Sequence, residues 1–230
     1  MPLPMVHLLL ARVLEEKLSI KDNDYFILGS IAPDAIHARA GSKRLDKYET
    51  HMFVNGFHDE ISKKVSRASV LEVMKYSMNL EREERQFVLG YCIHILLDME
   101  WIDKVFNVFA RTLQSGGICL DGIKSKYYEE TNECDALIYI KGHLWTEKYR
   151  RILQKIEPIG FYDYRTTDNK LLLTKEEIGK WREEVLGKME RYADFAVGKV
   201  TGAHYITYES ILSFINKFAD SVIISLIDRL

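Results

Sequence analysis

Apolar residues recur every three or four positions along nearly the whole chain, which is the spacing of one buried face of an α-helix. The final segment, YESILSFINKFADSVIISLIDRL, shows the pattern with Ile211, Ile215, Phe218, Val222 and Leu226. No repeat, low-complexity tract or polar linker interrupts it. The sequence therefore predicts a single all-α domain over 1–230, with metal-site motifs in 1–105 and a helical part over 125–230.

Local signals predict where individual helices begin and end. A short buried helix in DYFILGSIAP should stop near Pro33, which leaves Asp34 just beyond its end. Thr174 and Glu177 have the spacing of a capping box, which predicts a helix to about residue 198. Further helices are expected over 4–18, over 50–65 with Thr50 as N-cap, over 80–113 and over 125–155, with irregular segments at 114–122 and 157–170.

The charge balance and the cysteines exclude several classes of protein. Lys plus Arg number 32 and Asp plus Glu number 34, so no net field favours nucleic acid or an anionic membrane. The three cysteines form no C-x-x-C unit, which argues against a disulfide framework and against a thiolate zinc site. The N-terminal residues lack a basic start and a long apolar run, so we expect a cytoplasmic protein without stable membrane association.

The segment GYCIHILLDMEW places two polar side chains inside an apolar helix. His94 and Asp98 are four positions apart, so they share one helix face and point at a common region. A carboxylate buried without a cation or hydrogen-bond donors would cost several kcal/mol. Gly90, one turn earlier on that face, is expected to admit a close neighbour. This pattern predicts a metal site.

Other metal-capable residues lie at the edges of apolar segments upstream. His7 is on the core face of the first predicted helix, Asp34 follows GSIAP, and His51 lies in ETHMF. With His94 and Asp98 they supply three imidazoles and two carboxylates. Such a nitrogen and oxygen set suits zinc or another divalent metal.

The ordered motifs H-L-L, G-S-I-A-P-D, T-H and G-Y-x-x-H-x-x-x-D resemble the zinc-dependent phospholipase C family, all-α hydrolases related to the S1/P1 nucleases. The resemblance covers roughly residues 1–105. It implies one to three zinc ions held by His7, Asp34, His51, His94 and Asp98, with Asp98 bridging two of them. It also implies phosphoester hydrolysis of the phospholipase C or phosphodiesterase type, with Asp34 orienting or deprotonating the attacking water.

The remaining zinc ligands of that family are a mature N-terminal tryptophan, a histidine soon after H-x-x-x-D, and a later H-x-x-x-E. This chain begins Met-Pro and has no histidine in MEWIDK, where Asp103 is the nearest substitute. Its later H-x-x-x-E is the pair His143 and Glu147, for which a solvated helix face is the alternative. Asp135 is a further secondary candidate, for which a place on a helix surface is equally open.

Two alternative functions remain open from the sequence. An HD-type metal phosphohydrolase would use His37, the adjacent pair His58 and Asp59, and Asp98. A non-catalytic helical protein with a structural metal is the second alternative. For a catalytic site, the expected partner is a small soluble phosphoester, in preference to nucleic acid or a lipid within a membrane. The oligomeric state is left open.

Overall fold

The computed structural model describes residues 2–19, 23–54, 59–195 and 204–227, and these residues are mostly helical. The all-α prediction is confirmed. No helix among the described residues is long and apolar enough to cross a membrane. The α-helices are α1 (Pro4–Leu18), α2 (Asp24–Gly29), α3 (Arg44–Thr50), α4 (Glu60–Ser77), α5 (Arg82–Trp101), α6 (Asn107–Ser115), α7 (Leu120–Lys141), α8 (His143–Lys155), α9 (Lys175–Ala193) and α10 (Tyr208–Ile227).

Four shorter elements accompany these helices among the described residues. A 3-10 helix covers Ala32–Ala38, and a π-helical turn, Ile102–Phe106, joins α5 to α6. Strands β1 (Phe161–Tyr162) and β2 (Leu171–Leu173) form an antiparallel hairpin. β1 lies in the segment expected to be irregular, and β2 directly follows that segment. The ring of Phe161 stacks on Tyr91 with centroids 4.0 Å apart, and this packing holds the hairpin against α5.

The chain divides into two compact units, each assembled from separate segments. The first unit contains Met1–Lys21, Leu97–Lys148 and Lys188–Leu230, and the second contains Asp22–Leu96 and Tyr149–Gly187. The prediction of one domain over 1–230 stays a prediction. In the first unit α1 packs on α7 and α10, around a core that includes the fully buried Trp101. The Trp101 indole donates a hydrogen bond of 2.7 Å to the Tyr127 hydroxyl oxygen.

In the second unit, α2 and α5 approach so closely that only glycine fits at their crossing. A Cβ atom at Gly90 would collide with the Phe26 carbonyl oxygen and lie 2.9 Å from the Ser30 nitrogen. A Cβ atom at Gly29 would collide with the Phe87 carbonyl oxygen in the same way. The expectation that Gly90 admits a close neighbour is therefore confirmed, and the neighbour is the backbone of α2.

The helix expected over 50–65 is wrong. Thr50 is the last residue of α3 instead of an N-cap, and His51 follows as the C-cap. The chain then turns at Met52, whose φ of 54° is left-handed. The next helix, α4, begins after Asp59, whose carboxylate accepts a hydrogen bond of 2.9 Å from the Ser62 N–H. Asp59 is thus the helix-capping residue in this region.

The other helix predictions agree better with the structure. The helix expected over 4–18 is α1, and the predicted capping box at the start of α9 is present in both directions. The helix expected over 125–155 is instead two helices, α7 and α8, separated at Gly142. Glu177 of the capping box also pairs with Arg39 at 2.6 Å, and this ion pair ties the end of the 3-10 helix to α9.

Candidate metal site

Three of the predicted metal ligands meet in the second unit, and each comes from a different element. Asp34 lies in the first turn of the 3-10 helix, directly after Pro33. His51 follows the C-terminus of α3, and His94 lies in α5. All three side chains are buried. The crossing of α2 and α5 brings His94 close to the chain segment that leads into Asp34.

The ligand atoms of these three residues are spaced as a metal site requires. His51 Nε2 lies 3.5 Å from Asp34 Oδ1, and His94 Nε2 lies 4.0 Å from Asp34 Oδ2. One ligand atom from each residue lies within 4.8 Å of the other two. Ligands about 2.0–2.1 Å from a tetrahedral zinc are separated by about 3.3 Å. Small side-chain movements would therefore bring the three atoms to coordination distance.

Backbone carbonyl groups orient both imidazoles. His94 Nδ1 lies 2.8 Å from the Ser30 carbonyl oxygen, and His51 Nδ1 lies 3.0 Å from the Lys47 carbonyl oxygen. A carbonyl oxygen can only accept a hydrogen bond, so each Nδ1 is the donor. In the neutral form of each ring, Nε2 then carries the lone pair on the side that faces Asp34. Metal-binding histidines have this arrangement, because the outer hydrogen bond fixes both tautomer and ring orientation.

Asp34 also has a cationic partner, Lys47. Lys47 Nζ donates a hydrogen bond of 2.7 Å to Asp34 Oδ1 and lies 3.1 Å from His37 Nε2. Burial by itself would raise the pKa of Asp34, but the ammonium group of Lys47 holds it well below the usual range. The carboxylate is therefore ionised at neutral pH, as a metal ligand must be. Two imidazoles and this carboxylate are a donor set that fits zinc.

His7 and Asp98, the other two predicted ligands, lie together in the first unit. His7 Nε2 is 3.5 Å from Asp98 Oδ1, and both side chains are buried. Asp98 is one helical turn after His94 on α5, as predicted from the spacing. The five predicted ligands thus form a triad of Asp34, His51 and His94 and a pair of His7 and Asp98.

None of the secondary candidates belongs to the groups of potential metal ligands found among the described residues. Asp103 is half-buried in the π-helical turn, His143 is exposed at the start of α8, and Glu147 is half-buried one turn later. Asp135 is fully buried, where it caps a helix instead of lying on a surface. Its Oδ1 accepts a hydrogen bond of 3.2 Å from the Val6 N–H at the start of α1, and its Oδ2 accepts one of 3.1 Å from the Tyr192 hydroxyl.

Burial raises the pKa of Asp135 to about 7, although these hydrogen bonds oppose the shift. The folded protein therefore binds a proton that the unfolded chain has released, and this contribution to stability falls as pH rises from about 4 to 7. In Asp135→Asn, which cannot ionise, we expect the free energy of unfolding relative to wild type to increase by on the order of 3 kcal/mol between about pH 5 and pH 8. Urea denaturation at both pH values measures this difference.

The control for this prediction is Asp135→Ala. It leaves the Val6 N–H and the Tyr192 hydroxyl without their acceptor, so it should destabilise the protein at both pH values. An Asp135→Asn variant with the pH profile of wild type would contradict the assigned proton.

The residues of the HD-type alternative are distributed differently. His37 lies beside Asp34 and Lys47 in the second unit, whereas Asp98 belongs to the first. Asp59 caps α4, and both of its carboxylate oxygens contact Ser62. His58 lies outside the described residues. The cap gives Asp59 a structural use independent of any metal.

Lys47 is the site residue that the sequence did not reveal. It lies four positions before His51, so correct placement of a helix over 44–50 would have put Lys47 one turn before that ligand. The predicted start at Thr50 left Lys47 outside the helix. Ser30 was also missed, because only its backbone carbonyl takes part.

Comparison with known proteins identified no relative of this chain. No family model, curated protein or solved structure matches the chain. Membership of the zinc-dependent phospholipase C family stays a prediction from short ordered motifs. The support for a metal is the arrangement of Asp34, His51 and His94.

Proposed function

We propose that this chain is a metal-dependent hydrolase of phosphoesters, with zinc or another divalent cation held by Asp34, His51 and His94. The observation that carries the proposal is the convergence of two oriented Nε2 atoms on an ionised carboxylate. Three protein ligands leave a fourth position for water or substrate, which distinguishes catalytic from structural zinc sites. His7 and Asp98, in the first unit, are the candidates for a further ion, and the chain would hold one to three ions in all.

The chemistry follows from the donor set and its surroundings. A bound divalent cation would lower the pKa of a coordinated water and would stabilise the negative charge of the phosphoryl oxygens. The carbonyl groups of Ser30 and Lys47 hold the two imidazoles in position. Asp34 is the most solvent-exposed of the three ligands, so its carboxylate would orient an incoming water or accept its proton.

The substrate we propose is a small soluble phosphoester in the cytoplasm. The net charge of the chain is -2, which gives no overall attraction to nucleic acid or anionic lipid. A competition between a short-chain soluble phospholipid and liposomes of the same headgroup tests this preference. Faster hydrolysis of the liposomes would overturn the part of the proposal that concerns substrate.

A structural metal site is the second candidate function, and the burial of His51 and His94 favours it. A closed site has four protein ligands and no exchangeable position. Inorganic phosphate should slow removal of the metal by a chelator if the site is open. Removal at an unchanged rate would support the structural alternative.

The hydrolase proposal is tested by activity after metal exchange. The protein is stripped with a chelator, reloaded separately with Zn²⁺, Co²⁺, Mn²⁺ or Mg²⁺, and assayed on soluble phosphomonoesters and phosphodiesters. We expect turnover that depends on the metal and disappears in His51→Ala. Turnover should persist in His143→Ala, because that histidine is exposed and is not part of the triad. Absence of metal-dependent turnover on every ester would contradict the proposal.

A further inference from the structure

Side-chain exposure increases from the two histidine ligands, through Asp34, to Lys47 and His37. The side chains of His51 and His94 are 0% and 1% exposed, and that of Asp34 is 10% exposed. Lys47 follows at 22% and His37 at 50%. A ligand that approaches Asp34 from solvent therefore meets the more exposed side chains of His37 and Lys47 first.

Lys47 is held between two acceptors, Asp34 Oδ1 at 2.7 Å and His37 Nε2 at 3.1 Å. An ammonium group can only donate, so His37 Nε2 is the acceptor in this contact. His37 in turn lies against the Trp181 ring, with centroids 5.8 Å apart. His37 is thus a positioning residue that holds the ammonium group of Lys47 at the edge of the site.

A divalent cation bound by Asp34 would share this carboxylate with the ammonium group of Lys47. The two positive charges repel each other, and they compete for the same oxygen atom. Lys47 therefore opposes metal binding while no anion is present. An anion that contacts both the cation and the ammonium group relieves this repulsion.

The charge of the favoured anion follows from counting. A divalent cation contributes +2, Lys47 +1 and Asp34 −1, while the imidazoles bind a metal as neutral ligands. The sum is about +2, which a dianion cancels. A phosphomonoester carries close to two negative charges above its second pKa of about 6, whereas a phosphodiester carries one.

From this arrangement, and on the basis of the proposed function, we infer that Lys47 is a substrate-binding residue that transfers its hydrogen bond from Asp34 to a phosphoryl oxygen, and that it selects phosphomonoesters over phosphodiesters. The same arrangement couples metal and phosphate binding. Each must raise the affinity of the protein for the other by the same factor, because the coupling free energy is reciprocal.

The experiment measures Co²⁺ or Zn²⁺ affinity at about pH 8, with and without inorganic phosphate, in wild type, Lys47→Met and Lys47→Arg. In wild type, phosphate should raise metal affinity about tenfold, the size of one charge-assisted hydrogen bond. In Lys47→Met, metal affinity without phosphate should rise. The factor by which phosphate raises metal affinity should fall to about one. Lys47→Arg should retain most of the coupling. That result would show that a positive charge at position 47 is sufficient to couple metal and phosphate binding.

Lys63→Met is the matched control. The Lys63 side chain is also 22% exposed and pairs with a carboxylate, that of Glu60 at 3.0 Å on α4. This variant loses the same charge and should keep the metal affinity and the coupling of wild type. The selectivity is tested with methyl phosphate and dimethyl phosphate, of which only the first should raise metal affinity strongly.

The outcomes separate this inference from the proposed function. Metal binding with equal coupling in wild type and Lys47→Met would overturn the role of Lys47 and leave the metal site standing. Equal enhancement by methyl phosphate and dimethyl phosphate would overturn the monoester preference. Failure of wild type to bind a metal would overturn the proposed function and this inference together.

Discussion

Replacing Gly90 with alanine is expected to lower the free energy of unfolding by about 3 kcal/mol, the upper end of the usual cost of overpacking. The added Cβ atom would meet the Phe26 carbonyl oxygen and the Ser30 nitrogen, which are backbone atoms. Neither can move aside by a change of side-chain rotamer, so α2 and α5 must separate. Urea denaturation of both proteins measures the loss of stability.

The same substitution is also expected to weaken metal binding. Separation of the two helices would carry the Ser30 carbonyl away from His94 Nδ1, which lies 2.8 Å from it. Loss of such an outer hydrogen bond typically costs 10- to 100-fold in metal affinity. Titration of the folded variant with Co²⁺ measures this second effect.

Gly179→Ala is the control for this prediction. Gly179 also lies within a helix of the second unit, but a Cβ atom there would meet only the Pro158 ring, at 3.4 Å. Alanine should be neutral or stabilise the protein by up to about 1 kcal/mol, because it favours the helix over glycine. Equal stability of Gly90→Ala and Gly179→Ala would show that the backbone contact at Gly90 does not constrain the fold.

The second large effect is expected from removal of a metal ligand. His94→Ala should reduce metal affinity at least about 100-fold, beyond the cost of losing an outer hydrogen bond. It removes one of the three ligand atoms and leaves His51 and Asp34 to hold the cation. The measurement is elemental analysis of protein purified without chelator, followed by titration with Zn²⁺ or Co²⁺. Asp98→Ala tests in the same way whether the pair in the first unit holds an ion.

His143→Ala is the matched control, because it removes an exposed imidazole that starts an H-x-x-x-E pair. Its metal content should equal that of wild type. Thermal melting of the variants in the presence of a chelator separates loss of a ligand from loss of the fold. Unchanged metal content in both His94→Ala and Asp98→Ala would remove the basis of the metal proposal.

The spacing of apolar residues, and the capping-box signal at Thr174, were sufficient to predict the all-α class, helix α1 and the start of α9. Helical periodicity and capping depend on residues a few positions apart, so the sequence carries them directly. The shared face of His94 and Asp98 is local in the same sense. The predicted helix start at Thr50 was wrong because a threonine hydroxyl can cap the start of a helix or can donate a hydrogen bond to a backbone carbonyl in the last turn of a helix. Here the Thr50 hydroxyl contacts the Lys47 carbonyl oxygen.

The sequence alone determined which side chains are candidates for a metal site, because residue type and burial pattern limit what an apolar segment can contain. Only the tertiary structure decided how they group. It brought Asp34, His51 and His94 together through contacts between distant segments, and it placed His7 beside Asp98. It also showed that Asp135 caps α1 and that Lys47 donates a hydrogen bond to Asp34. The grouping of Asp34, His51 and His94 depends on how α2 crosses α5 and on where α3 ends. Such geometry is set by packing between residues far apart in the chain.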